Sequence, residues 1–374
     1  MPSAADAAVP CGRASSRGRL GLRERMGVAA LCAAGILVLG VYWHMGFPKI
    51  FSGQNDFIVF YAGARAGGGP VTYDPERFQQ LEREASGFIP TQALPYTRPP
   101  YYAMLTRPLA LFPYPTAYRI WQALSVAALV LFVLVLPGEP WVTALAVCWS
   151  YPASYGLASG QDVSFLALWV AVALRLRHKR PFWSGAVLAL CAPKFHLFLC
   201  LPLLLYRRAA WRIAAGLLTA GGVLVALSFV ASGAGWVQRY ARAVMDPGID
   251  VSLQFMPNLH GLLAGVPGQA AWEVVLTAAV GALVWFIARN SDFEIGFAGV
   301  LLGGLLVSYH AYACDFVLTI PALLSIRRLT QSWPSLISVA MLFPLSYWLY
   351  PQIGFLAVLG ALAWHVRSTR AAAP

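Results

Sequence analysis

A carboxylate stands at position 56, in Asn55-Asp56-Phe57, soon after the first long apolar run of the chain. Only 15 of 374 residues are acidic, so Asp56 is not one of many charges on a solvated surface. A carboxylate beside a membrane-spanning segment is costly to desolvate and marks a functional candidate. Its natural chemistry is that of a general base that takes the proton of an acceptor hydroxyl. Other polar groups recur at the ends of apolar runs. They are Arg98 in Tyr96-Thr97-Arg98-Pro99-Pro100, Gln161 and Asp162 after Ser159-Gly160, and Lys194 and His196 in Pro193-Lys194-Phe195-His196. Asn258 and His260 follow in Asn258-Leu259-His260-Gly261, then His310 and Asp315 near Tyr309 and Tyr312. One base with a lysine and an arginine suits group transfer from a phosphate-bearing lipid, because the cations stabilise charge developing on the leaving phosphate.

Each of these residues also has a plain structural reading. Asp56 could cap a helix, and Lys194 could snorkel to an interface. Arg98 could anchor at the headgroups, and Gln161 with Asp162 could open a helix after Gly160. Asp315 could cap the next run, and His196, His260 and His310 could be ordinary interfacial histidines. Arg65 and Glu82 read as solvated helix faces, and Tyr101 and Tyr102 as interface aromatics.

The elements that must position these groups are membrane helices. The chain is 59% hydrophobic, more apolar surface than a soluble domain of this length can hide. The runs are continuous rather than alternating, which excludes a β-barrel and gives an all-α polytopic membrane protein. They fall at about 27–46, 115–136, 141–158, 161–175, 182–193, 195–206, 213–231, 271–288, 296–309, 316–326, 335–350 and 353–366, giving about 10–12 spans. Basic clusters alternate with them: Arg13 to Arg25, Arg175 to Arg180, Arg207-Arg208 with Arg212, Arg327-Arg328, and Arg367 with Arg370. Placing all of these in the cytoplasm puts both termini inside and gathers the polar candidates on the outer face. Residues 1–26 are then a basic cytoplasmic segment, 27–366 one membrane-embedded unit, and 367–374 a cytoplasmic tail. Two longer outer segments, about 47–113 and 232–270, carry short helices. Phe57 to Ala66 and Pro75 to Ser86 are helical by pattern, the second opened by a first-turn proline with Asp74 as N-cap. Trp236, Arg239, Tyr240 and Arg242 lie on an amphipathic stretch before Asp246-Pro247-Gly248.

The formal charge of +12 sits in these topology clusters, so no nucleic acid is expected as a partner. The sequence has neither a phosphate loop nor a nucleotide fingerprint, and the six cysteines lack metal-ligand spacing. Neither a metal nor another cofactor is expected.

The ordered set Asp56, Phe57 to Ala64, Tyr73-Asp74-Pro75, Tyr96 to Pro100, Leu105 to Leu109 and Trp121 resembles glycosyltransferase family 87. Gly160-Gln161, Pro193-Lys194, Pro202 to Leu204 with Arg207-Arg208, and Asn258 to Gly261 extend the likeness over about residues 27–330. The resemblance implies a type-C glycosyltransferase bundle with its active site facing the periplasmic or extracellular side of the cell membrane. It implies a polyprenyl-phosphate sugar donor, mannose in the family's best-known members, and an inverting transfer. It maps the catalytic base onto Asp56. The family's lysine precedes its proline, whereas here Pro193 precedes Lys194.

The expected function is therefore transfer of a hexose from a polyprenyl-phosphate donor to a lipid or glycan acceptor, among membrane lipids. Asp56 serves as base, and Arg98, Gln161, Lys194, His196, Asn258, His260 and His310 hold the donor phosphate or substrate. A transporter or flippase would instead place titratable groups near the bilayer midplane and show inverted repeats. A lipid ligase or acyltransferase would use the same cavity with another donor.

Overall fold

The computed structural model describes residues 20–87, 95–206, 210–245, 253, 256–330 and 333–371. Arg13, Arg17, Arg19, Arg207, Arg208, Asp246-Pro247-Gly248 and residues 372–374, all within segments named above, lie outside the described residues. Among the described residues every regular element is helical.

Helix α1 (Leu22–Gly46) buries little more than Gly35, Leu39 and Trp43, as a lipid-facing helix should. Gly35 is needed where α1 meets its neighbour, because a Cβ there would lie 2.7 Å from the Cys148 carbonyl. Two short helices follow: α2 (Phe57–Ala66), which opens after Asp56, and α3 (Pro75–Ser86). Their bounds match the sequence pattern, and the Asp74 carboxylate accepts from the Arg77 amide at 3.2 Å. Then come α4 (Pro100–Thr106) and the long α5 (Tyr114–Val135). The run at 141–158 is not one helix. It is split into α6 (Pro140–Cys148) and α7 (Tyr151–Ala158), and Ser150 between them caps the Ala153 amide at 3.1 Å.

Helix α8 (Val163–Leu176) runs through the middle of the core, and α9 (Pro181–Leu188) returns beside it. From α9 the chain tightens into a 3-10 stretch, Ala189–Phe198, that breaks at Lys194 (φ −123, ψ 48), and then resumes as α10 (Leu201–Leu205). Pro193 explains the break, since it removes one ladder donor and crowds the preceding turn. Helix α11 (Trp211–Ser232) packs so closely on α9 that a Cβ on Gly185 or Gly216 would collide with the partner backbone. That is the small-residue contact by which membrane helices gain van der Waals attraction. The rest comprises α12 (Trp236–Val244), α13 (Leu259–Leu262), α14 (Gln269–Asn290), α15 (Phe293–Val307), α16 (Thr319–Leu329), α17 (Trp333–Met341) and α18 (Pro351–Ala371).

Four helices, α1, α5, α11 and α14, are each long and apolar enough to cross a membrane. The shorter segments, α8 and α15 among them, pack into the core around Phe132, Phe297, Phe316 and Phe355. Irregular backbone is tolerated at membrane depth only where it is buried in protein or lines a cavity. The breaks at 53–56, 159–162, 193–194 and 308–312 gather at one end of α8. At its other end Glu294 is ion-paired with both Arg177 and Arg328, tying α8, α15 and α16 together.

Three side chains depart from expectation. Glu82 is not solvated: it is fully buried, and neither carboxyl oxygen has a hydrogen-bond partner. It lies four residues beyond buried Phe78 and so shares its inward face. Burial pushes its carboxyl up to about 8. Tyr101 and Tyr102 also turn inward, Tyr101 against Ala189 and Leu224 and Tyr102 against the Phe60 ring. Arg65 stays exposed, 3.5 Å from Glu84.

Candidate functional site

Asp56 is held by its own backbone first. Its amide donates to the Ser159 carbonyl at 3.0 Å, docking the start of α2 on the turn before α8. That turn needs Gly160, which has φ +69 and whose added Cβ would lie 2.9 Å from both Asn55 Oδ1 and Phe57 Cβ. The Trp121 indole donates to the Gly160 carbonyl at 2.8 Å and fixes the turn from α5.

The turn presents Gln161, whose Nε2 donates to Asp56 Oδ2 at 2.8 Å. Its Oε1 accepts from Lys194 Nζ at 3.2 Å and from Arg98 Nη2 at 3.4 Å. The amide can point only this way, because the carboxylate can only accept and the two cations can only donate. Gln161 therefore joins Asp56 to the cation pair. Half-buried Asp56 has its carboxyl raised above the ordinary value of 3.8, chiefly by desolvation. The Gln161 hydrogen bond and the charges of Lys194 and Arg98 oppose that rise.

Neither cation is a snorkelling or anchoring residue, since Lys194 and Arg98 expose only 4% and 7% of their surfaces. Arg98 grips Asp162 with two donors, Nε to Oδ2 at 3.0 Å and Nη2 to Oδ1 at 3.3 Å. Its guanidinium carbon lies 5.5 Å from the centre of the Phe60 ring, and Tyr73 donates to its carbonyl at 2.6 Å. Lys194 Nζ is 2.5 Å from Asp315 Oδ1 and 3.5 Å from Asp162 Oδ1. Asp315 is fixed in turn by the Tyr312 amide, which donates to Oδ2 at 2.9 Å. Asp162 precedes α8 without capping it, its carboxylate being spent on the cations. Both acids stand out in the sequence as polar groups at the ends of apolar runs. Their role as buried counterions depends on contacts across well-separated breaks, which no local pattern shows.

The histidines form a wall near this cluster. The rings of His196 and His310 are 6.2 Å apart, and His310 lies 4.9 Å from Tyr312. His260 Nδ1 is 2.7 Å from Glu273, and its ring lies 4.2 Å from Tyr309, so its hydrogen bond is to neither Asp56 nor the cations. Asn258 is fully buried, with Oδ1 accepting from the Gly261 amide at 2.8 Å and Nδ2 donating to the Ser308 carbonyl at 2.8 Å. It caps α13 and ties that turn to the end of α15.

A carboxylate joined through one amide to two buried cations can take a proton on one side and steady an anion on the other. The sequence profile of glycosyltransferase family 87 matches residues 96–308, more than half of the chain. The chain belongs to this family. No curated protein and no solved structure matches it significantly. Membership in family 87 makes the chain a membrane glycosyltransferase. The matched stretch includes Arg98, Gln161, Asp162, Lys194 and Asn258 and begins after Asp56. The case for Asp56 in this family-87 protein therefore stands on its geometry.

Proposed function

We propose that the protein transfers a hexose, mannose by family resemblance, from a polyprenyl-phosphate donor to a hydroxyl acceptor. The observation that carries this reading is the chain of contacts from Asp56 through Gln161 to Lys194 and Arg98. Asp56 takes the proton of the acceptor hydroxyl as that oxygen forms its bond to the anomeric carbon. The bond from that carbon to the phosphate oxygen breaks, and the electron pair leaves with the polyprenyl phosphate. Lys194 and Arg98 steady the charge on the leaving group. A single displacement inverts the anomeric centre, so a β-linked donor gives an α product.

His196 and His310 line the same end and serve as sugar or phosphate contacts, with His260 at the margin. The unit spanning about 27–366 lies in the cell membrane with both termini cytoplasmic and the Asp56 end facing outward. The basic groups around Glu294, at the opposite end of α8, support this orientation. The test is release of labelled sugar from a polyprenyl-phosphate hexose in membranes carrying the protein. Wild type should consume the donor, and a folded Asp56→Asn variant should not. Full activity in that variant removes Asp56 from the mechanism.

A further inference from the structure

A groove of ≈ 700 Å³ runs along the bundle between α1, α5 and the α6–α7 pair. That volume is in the range of about 300–1,000 Å³ typical of ligand sites. Leu39, Trp43, Leu129, Val133, Val147 and Leu157 are among its walls. Its uncharged polar side chains, Tyr118, Gln122 and Ser154, gather towards the Asp56 end, and each is already engaged. The Tyr118 hydroxyl accepts from Asn55 Nδ2 at 3.0 Å, Gln122 donates to the Leu157 carbonyl at 2.9 Å, and Ser154 accepts from the Trp43 indole at 3.0 Å. A groove whose few polar groups are satisfied internally selects hydrocarbon. From Gln122 to Leu134 its α5 wall extends about 18 Å. That is close to the roughly 15 Å depth of one leaflet's hydrocarbon. The dimensions fit a lipid chain running inward from the site end.

The order of groups says which lipid. Asn55 Nδ2 lies within donating distance of the Ile50 carbonyl at 2.9 Å, of Tyr118, and of the Ala158 carbonyl at 3.3 Å, so it borders the polar end of the groove. Asp56 is next in the chain, then Gln161 across its hydrogen bond, then the two cations. Along this path of contacts the base comes between the polar end of the groove and the cations. In an inverting displacement the acceptor oxygen arrives on the base's side and the phosphate departs on the other. We propose that this groove seats the hydrocarbon chain of a lipid acceptor and presents its hydroxyl to Asp56. The inference rests on the reading of Asp56 as the base. The proton passes from the acceptor hydroxyl to Asp56 as the new glycosidic bond forms, and the bond to the donor phosphate breaks.

Gly40 gives a clean test. It lines the groove, and a Cβ there would meet nothing within 4 Å. Gly40→Phe therefore starts from a Cβ in open space, extends a ring into the groove and replaces a poor helix former. Dodecyl and methyl α-mannosides serve as acceptors, with a polyprenyl-phosphate mannose donor, for the full chain in membranes. Wild type should show the lower KM for the dodecyl acceptor. Gly40→Phe should raise that KM by about tenfold or more and leave the KM values for methyl acceptor and donor within about twofold. An unchanged dodecyl KM overturns the proposal, and so does a rise confined to the donor KM, which would give the groove to the donor tail. Binding is read separately with a dodecyl mannoside carrying a mid-chain diazirine. Crosslinks should fall on α1 and α5 and vanish in Gly40→Phe, whereas even labelling of all lipid-facing helices overturns the proposal. If wild type labels in the groove yet consumes no donor, the donor reading fails while lipid occupancy of the groove stands.

Discussion

Replacing Gln161 with leucine keeps the side chain near its original volume and deletes both sides of the amide link. Asp56 Oδ2 loses the donor at 2.8 Å, and Lys194 and Arg98 lose a shared acceptor. A hydrogen bond to a charged group contributes about 1.5–3 kcal/mol. At about 1.4 kcal/mol for each pH unit, its loss raises the carboxyl by about one to two pH units. The sign follows from the role proposed for Asp56 as base. Only the ionised form accepts a proton, so activity falls as pH drops through the carboxyl's own value, already above 3.8 in wild type. Gln161→Leu moves that acid limb upward, and the loss is largest on the acid side and smallest on the alkaline plateau. The measurement is kcat/KM for sugar transfer across pH, wild type and variant in the same membranes. A rate reduced by one factor at every pH, with the limb in place, would refute the link between Gln161 and the base.

Asp56→Asn keeps the hydrogen-bonding shape but cannot accept a proton, and should lower transfer by about 10²–10⁴-fold with an unchanged melting profile. Lys194→Met leaves Asp315 buried beside a lost partner and should cost about 3–5 kcal/mol of stability, read as a lower melting temperature in detergent. Adding Asp315→Asn to that variant should recover much of the stability and none of the activity. Glu82 favours its protonated form in the fold, so its contribution is full below 4.5 and is lost as pH rises through about 8. That window corresponds to at most about 5 kcal/mol. Glu82→Gln should flatten the decline in melting temperature between mildly acidic and alkaline pH, and an equally steep decline in the variant would remove Glu82 as its cause.

Local signals in the sequence were strong where one residue type decides the backbone. Asp74 before Pro75 set the start of α3, Gly67 and Gly87 ended α2 and α3 in the left-handed region, and Pro193 broke the helix at Lys194. The polar candidates were legible because so few polar groups interrupt the apolar runs. Their pairing was not legible. Arg98 reaches Asp162 and Lys194 reaches Asp315 across long stretches of chain, and only the folded breaks bring them together. Glu82 was misread because a charged residue on a short polar helix is usually solvated. Its spacing of four from Phe78 carried the opposite signal. Asn258 looked like a substrate contact by type, yet both of its polar atoms are taken up by backbone.

The buried counterions have a further consequence for how the two substrates share one site. Among the described residues, Asp56, Asp162 and Asp315 share two cations, Lys194 and Arg98, so the cluster has an excess negative charge when all three acids are ionised. On the proposed mechanism, an anionic phosphodiester donor binds beside the cations more readily while Asp56 is protonated, whereas transfer needs Asp56 ionised. Donor affinity and readiness of the base then pull in opposite directions on a single proton. By reciprocity, the factor by which protonation of Asp56 tightens donor binding is the factor by which bound donor makes Asp56 harder to ionise.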